Sequence, residues 1–82
     1  MKRKTYTIAT PGHPPTVGHS WNAALKAARS TVRDALQKGE KSATFAGLRD
    51  VEKLDKWTHR SGTALFISDL GREIPIRIEL QP

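Results

Sequence analysis

No cysteine occurs in the 82 residues, which excludes disulfides, thiolate chemistry and cysteine-based zinc sites. No apolar run approaches the roughly 20 residues of a membrane-spanning helix. The start Met1-Lys2-Arg3-Lys4 is basic like a secretory leader, but Thr5 to Pro11 is not the apolar stretch such a leader needs. Aromatic residues are few (Tyr6, Trp21, Phe45, Trp57 and Phe66) and are not interleaved with cations along the chain, as a stacking platform for single strands requires. The most informative absence is of negative charge. Residues 1–33 carry Lys2, Arg3, Lys4, Lys26, Arg29 and Arg33 and no Asp or Glu, whereas residues 34–82 carry eight of each sign. The formal net charge of +6 is therefore that of the first 33 residues. A field of one sign, not neutralised locally, favours phosphate or an acidic protein surface as partner.

What is present fits one small domain over residues 1–82, with residues 1–3 as a flexible basic arm. There is no internal repeat and no low-complexity tract. The expectation is a cytoplasmic protein without membrane association and without a cofactor. His13, His19 and His59 match no metal-ligand spacing, so no metal site is expected.

Lys4–Thr10 is rich in β-branched and aromatic types, with Tyr6 and Ile8 on one face, and reads as a strand. Pro11, Gly12, Pro14, Pro15 and Gly18 mark a stiff loop that is neither helix nor central strand. Trp21, Ala24, Leu25, Ala28, Val32, Ala35 and Leu36 follow the spacing of one helix face. Ser20 is the expected N-cap, Gly39 the expected left-handed residue at the far end, and Lys38 suits the last turn. Ser42–Leu48 reads as a strand with Phe45 inward. Between 50 and 59 two readings compete. Leu48, Val51, Leu54 and Trp57 are three apart, Asp50 is a suitable cap and Glu52–Lys56 a favourable pair, which together predict a short helix. Against it, Ser61-Gly62 suits a hairpin turn that pairs Trp57 with Phe66. Thr63–Asp69 is an apolar strand, Leu70-Gly71 a turn, and Ile74, Ile76, Ile78 and Leu80 alternate with polar residues or proline in a half-buried strand. Pro75 places that strand at an edge, or places its proline end away from a neighbour. The fold class is α+β: β-α-β-(short α)-β-β, a single sheet with one long amphipathic helix on one face. If the first two strands are parallel neighbours, their crossover is right-handed. Pro75 on an edge discourages open-ended pairing there and leaves the other edge free for a symmetric homo-oligomer.

Lys26, Arg29 and Arg33 follow i, i+3, i+7 along the helix, beside its apolar face. Such a stripe positions a protein on phosphates without reading sequence, although Lys and Arg also serve simply as solvated helix formers. Lys2, Arg3 and Lys4 extend the footprint, and Arg49 is a further candidate contact. Gly18-His19-Ser20 opens the helix and offers the generic anion affinity of any helix start. Trp21 and Trp57 read as core or core-edge residues, and Tyr6, Phe45 and Phe66 as core.

Two resemblances bear on function. Trp57-Thr58-His59-Arg60-Ser61-Gly62, followed by the apolar segments 65–67 and 74–78, resembles the central hairpin of RelE/ParE-type toxins, with its Trp-x-x-Arg-x-Gly core at Trp57, Arg60 and Gly62. That resemblance implies RNA cleavage with Arg60 stabilising phosphate charge and His59 moving a proton. The family's second arginine falls on Leu65, and the basic or aromatic tail after the last strand is missing before Pro82. In layout, a small domain with a strand-helix-strand start, lopsided charge and no catalytic constellation is similar to phage and mobile-element inhibitors of the anti-CRISPR type. Such proteins occupy a surface of a nucleoprotein effector complex.

The expected function is therefore a non-enzymatic basic binding protein that engages nucleic acid or a nucleoprotein complex through Lys26, Arg29 and Arg33. The alternatives are an anti-CRISPR-like inhibitor that docks on an acidic surface of a protein effector, and a ribonuclease toxin.

Overall fold

Ile74, Ile76 and Ile78 are fully buried while their neighbours along the chain stay near the surface, and this alternation runs down the middle of the molecule. The computed structural model describes residues 4–82. Its elements are β1 (Tyr6–Ala9), β2 (Thr16–Gly18), α1 (Trp21–Thr31) continued by a 3-10 turn (Val32–Ala35), β3 (Ala43–Lys53), β4 (His59–Ser68) and β5 (Glu73–Leu80). The five strands form one antiparallel sheet in the order β2-β1-β5-β4-β3. The class is α+β with a single sheet and one helix. The element order differs from the sequence-based one. A short second strand precedes the helix, no helix lies between β3 and β4, and β5 and β4 separate β1 from β3, which are therefore not parallel neighbours.

One sheet face carries Tyr6, Ile8, Ala64, Phe66, Ile74, Ile76 and Ile78, which cluster with Ala24, Ala28 and Val32 of the helical segment. Fully burying side chains of this size contributes about 1.5–3 kcal/mol each. Small residues set how near α1 comes. A Cβ at Gly18 would stand 2.9 Å from the Ala24 backbone nitrogen. The other face carries Thr63, Arg77, Arg49 and Glu73, through the registers Arg49↔Thr63 and Thr63↔Arg77, and no helix covers it.

Ser20 caps α1 as expected, its hydroxyl accepting from the Ala23 N–H at 3.0 Å. The helix is shorter than its apolar spacing implies and ends at Thr31. Thr31 Oγ1 donates back to the Ala27 carbonyl at 3.0 Å and lies 2.7 Å from Thr10 Oγ1 of the loop after β1. That local back-bonding competes with regular helix, and the β-branched pair Thr31-Val32 is stiff there. Gly39 has positive φ, 93°, but sits in the following loop rather than at the helix end.

The stretch from 50 to 59 is neither a helix nor a strand paired through a turn at Ser61-Gly62. β3 continues to Lys53, and Ser61 and Gly62 lie buried within β4, opposite Glu79 and Ile78. The hairpin turns instead at 54–58, where Asp55 Oδ1 accepts from the N–H groups of Trp57 and Thr58, both at 2.8 Å. These bonds to the ionised form hold the Asp55 carboxyl below its usual range. Phe66 faces Phe45, not Trp57. β5 is central, so Pro75 is not on an edge; it lies beyond the end of β1, whose pairing with β5 stops at Ala9↔Arg77. Gly71 supplies the positive φ, 88°, of the β4–β5 turn.

The segment between the 3-10 turn and β3 is clamped by one ion pair. Arg72 donates to both Glu40 oxygens (Nε to Oε2 3.0 Å, Nη2 to Oε1 2.8 Å) and to the Ala35 carbonyl at 2.8 Å. The Glu40 side chain is 4% exposed. The Arg72 hydrogen bonds, chiefly, with smaller contributions from Ser68 and the Gln37 N–H, lower the Glu40 pKa to about 2. A depressed carboxyl pKa contributes stability in full above the unfolded value, near 4.5, and loses it as pH falls towards about 2. Glu40→Gln should therefore lower the melting temperature at neutral pH, and the gap to the parent should close between pH 4.5 and about 2. Thermal melts over that range check it.

Candidate functional site

Between the C-terminal half of α1 with its 3-10 turn and the start of β3 runs an open groove of about 340 Å³. Its walls are Arg29, Val32, Arg33 and Leu36 on one side and Lys41, Ser42 and Ala43 on the other. A second opening of about 460 Å³ adjoins it, shares Arg29, Val32 and Ala43, and reaches Phe45 and Phe66, so the floor there is apolar beside the cationic rim. Arg29 holds its guanidinium carbon 5.0 Å from the centre of the Phe45 ring. Phe45 in turn meets Phe66 edge-on, with centroids 5.5 Å apart. The Lys41 wall is fixed by Asp69, whose Oδ1 accepts from the Lys41 N–H at 3.0 Å.

Among the described residues, side-chain ion pairs form at Arg49–Glu73, Arg72–Glu40 and Arg77–Glu79, with His13–Asp34 a fourth when His13 is protonated, and none involves Lys26, Arg29, Arg33 or Lys41. Asp34, next to Arg33 in sequence, turns to His13 Nε2 at 3.4 Å. Asp34 and Glu40 thus turn to His13 and Arg72, and Asp69 sets its carboxylate against the backbone of the Lys41 wall, leaving the rim cations without an ion-pair partner among the described residues. Arg29 and Arg33 near the helix C-terminus also complement the helix dipole, a role that leaves their outer donors unoccupied.

The structure brings only part of the sequence-predicted set together. Arg29 and Arg33 line the groove, and Lys26 is exposed on α1 outside its lining. Arg49 does not join them. It lies on the opposite sheet face, 3.6 Å from Glu73, because its register with Thr63 turns it away from α1. Lys4 is tied to the β3–β4 turn, its Nζ 3.2 Å from Thr58 Oγ1. Lys2 and Arg3 lie outside the described residues. Lys41 was not singled out from sequence. It sits in a loop where no periodicity applies, and the signal was only its place in Lys38-Gly39-Glu40-Lys41, just after the cationic helix.

His59 and Arg60 share no pocket. The His59 ring stacks on Trp21, with centroids 4.4 Å apart and planes 10° from parallel. Arg60 lines a groove with Glu52, Ser61, Arg77 and Glu79, because the shift from Glu52↔Ser61 to Lys53↔His59 makes Arg60 an extra residue in β4 and breaks the alternation of the strand there. Trp57, read from sequence as core or core-edge, is 82% exposed at the hairpin tip. Burial and the nearby Asp55 charge raise the Tyr6 pKa, and the Tyr6 hydroxyl donates to the His59 carbonyl at 2.8 Å, a structural bond. Among the described residues no cluster of three metal-ligating side chains occurs, and no helix is long and apolar enough to cross a membrane. No protein-family model matches the chain, and no curated protein or solved structure matches it either.

Proposed function

We propose that this is a non-enzymatic basic binding protein that engages nucleic acid, free or within a nucleoprotein complex, through Arg29, Arg33 and Lys41, with Lys26 beside them. The observation that carries the reading is that, among the described residues, these four cations beside a groove form no ion pair, while Asp34 and Glu40, the acids next to Arg33 and Lys41 in sequence, turn to His13 and Arg72. Phosphate oxygens are the ligands such donors suit, through charge-assisted hydrogen bonds. Contacts of this kind position a protein on a backbone and make binding steeply salt-dependent. Four contacts on a single strand weaken binding about 50-fold between 50 and 200 mM salt, at about −0.7 per contact on the logarithmic scale. Anisotropy titrations of a labelled oligonucleotide at the two salt concentrations test the reading. Affinity that does not change with salt overturns it.

One observation favours a second reading, a protein partner of the kind an anti-CRISPR-like inhibitor would have. Leu48, Val51, Leu54 and Trp57 are exposed along β3 and the hairpin tip, more apolar surface than phosphate binding requires. In that reading Trp57 is an anchor in the partner's pocket and the cations meet carboxylates at its rim. Trp57→Ser should leave stability within about 0.5 kcal/mol of the parent, since the ring is exposed. It should also leave oligonucleotide affinity unchanged, while a loss would place the tip in the nucleic-acid contact.

A further inference from the structure

Resting on the phosphate reading above, we infer that the α1–β3 groove takes a single strand, with one unstacked base on the Val32–Phe45 floor and its flanking phosphates on Arg29, Arg33 and Lys41. Along the chain, aromatics and cations are separate. In the fold they interleave, because the register Phe45↔Phe66 turns Phe45 to the helix side and the α1 spacing puts Arg29 over its ring. A half-buried aromatic beneath a guanidinium is a combination that base stacking uses in single-strand binding.

Size and shape select against a duplex. The part of the groove over Phe45 and Phe66 has a volume of about 460 Å³, within the range of small-molecule pockets, roughly 300–1,000 Å³, and enough for one base. A duplex keeps its bases stacked inside, so only its phosphates would reach the rim and the apolar floor would stay uncovered. An unstacked base covers that floor and brings its own phosphates to both walls. The two walls are held for this. Asp69 fixes the Lys41–Ser42 backbone, and the Glu40–Arg72 pair anchors the chain between Ala35 and Lys41. Phe66 closes the floor from β4 and is 1% exposed, so it supports the Phe45 ring without meeting the base itself.

The test is competition anisotropy with the full chain and four probes: a single-stranded oligonucleotide in DNA and RNA form, the same sequence as duplex, the same backbone with abasic sugars, and poly-glutamate. The single strand should bind about 10-fold tighter than either the duplex or the abasic strand, the factor expected for one stacked base. Phe45→Leu should lose the same factor against the normal strand and none against the abasic one. Should Phe45→Leu fail to fold, the base-containing and abasic strands on the parent protein still decide. Equal affinity for duplex or abasic strand overturns the inference and leaves phosphate binding standing. Poly-glutamate displacing the strand at equal charge concentration overturns it in favour of an acidic protein ligand. Binding to no nucleic acid at low salt overturns both this inference and the reading it rests on.

Discussion

Arg29→Glu with Arg33→Glu should weaken oligonucleotide binding by about 100-fold or more, counting about 1.5 kcal/mol for each charged hydrogen bond lost. Both side chains line the same groove, neither has an acidic partner among the described residues, and each reversal adds repulsion to the lost contact. The fold should survive. The structural cost is the Arg29–Phe45 contact, a cation–π pair worth about 0.5–1 kcal/mol at an exposed site, plus about 0.3–1 kcal/mol per charge for placing an anion at the helix C-terminus. Arg49→Glu is the matched control. It changes net charge by the same amount per site, but on the uncovered sheet face beside Glu73, so it should reduce affinity only through the general field. If Arg49→Glu and either helix reversal cost the same, binding depends on net charge and not on the groove.

The second large effect is on stability. Gly18→Ala should cost about 1–3 kcal/mol or more, the range for forcing an extra methyl into a filled site. The new Cβ would stand 2.9 Å from the Ala24 nitrogen and 3.2 Å from both the Ala23 carbonyl carbon and the Ala24 Cα, all backbone of a capped helix. Gly62→Ala also meets an atom at 2.9 Å, but that atom is Cη2 at the tip of the half-buried Trp21 ring, which is free to swing outward at the expense of its stack on His59. The expected order of denaturation midpoints is parent, Gly62→Ala, Gly18→Ala. A reversed order would mean that α1 yields as a body and that its distance from β2 is not fixed by Gly18.

The elements best read from the sequence are those in which one period acts alone. Ile74, Ile76 and Ile78 alternate without interruption, and all three are buried in the central strand. Ser20 was legible as a cap because its hydroxyl needs no tertiary partner to act. The misreading of residues 50–59 has a specific cause. β3 shifts register between Phe45 and Gly47 and again between Arg49 and Glu52. Each bulge adds one residue to a strand period of two, so Phe45, Leu48 and Val51 stay on the helix side at intervals of three. That interval imitates a helix. Asp50, read as a helix cap, instead has φ 53° within the second bulge. The short strand Thr16–Gly18 was hidden behind Pro14 and Pro15, which are tolerated because it is an edge strand.

The site was legible to the same degree and for the same reason. Helical spacing put Arg29 and Arg33 on one stripe, whereas the second wall, Lys41, comes from a loop placed by the Glu40–Arg72 pair, a contact spanning 32 positions. Arg49 was misplaced because its side of the sheet depends on the bulge before it.

Backbone amide shifts followed as a single-stranded oligonucleotide is titrated into the isotope-labelled protein test the central claim most directly. Saturating changes should concentrate at residues 26–36 and 41–45, the two walls of the groove. Changes centred on Arg49, Arg77 and Glu79, or on the 54–60 hairpin tip, with the groove silent, would contradict it.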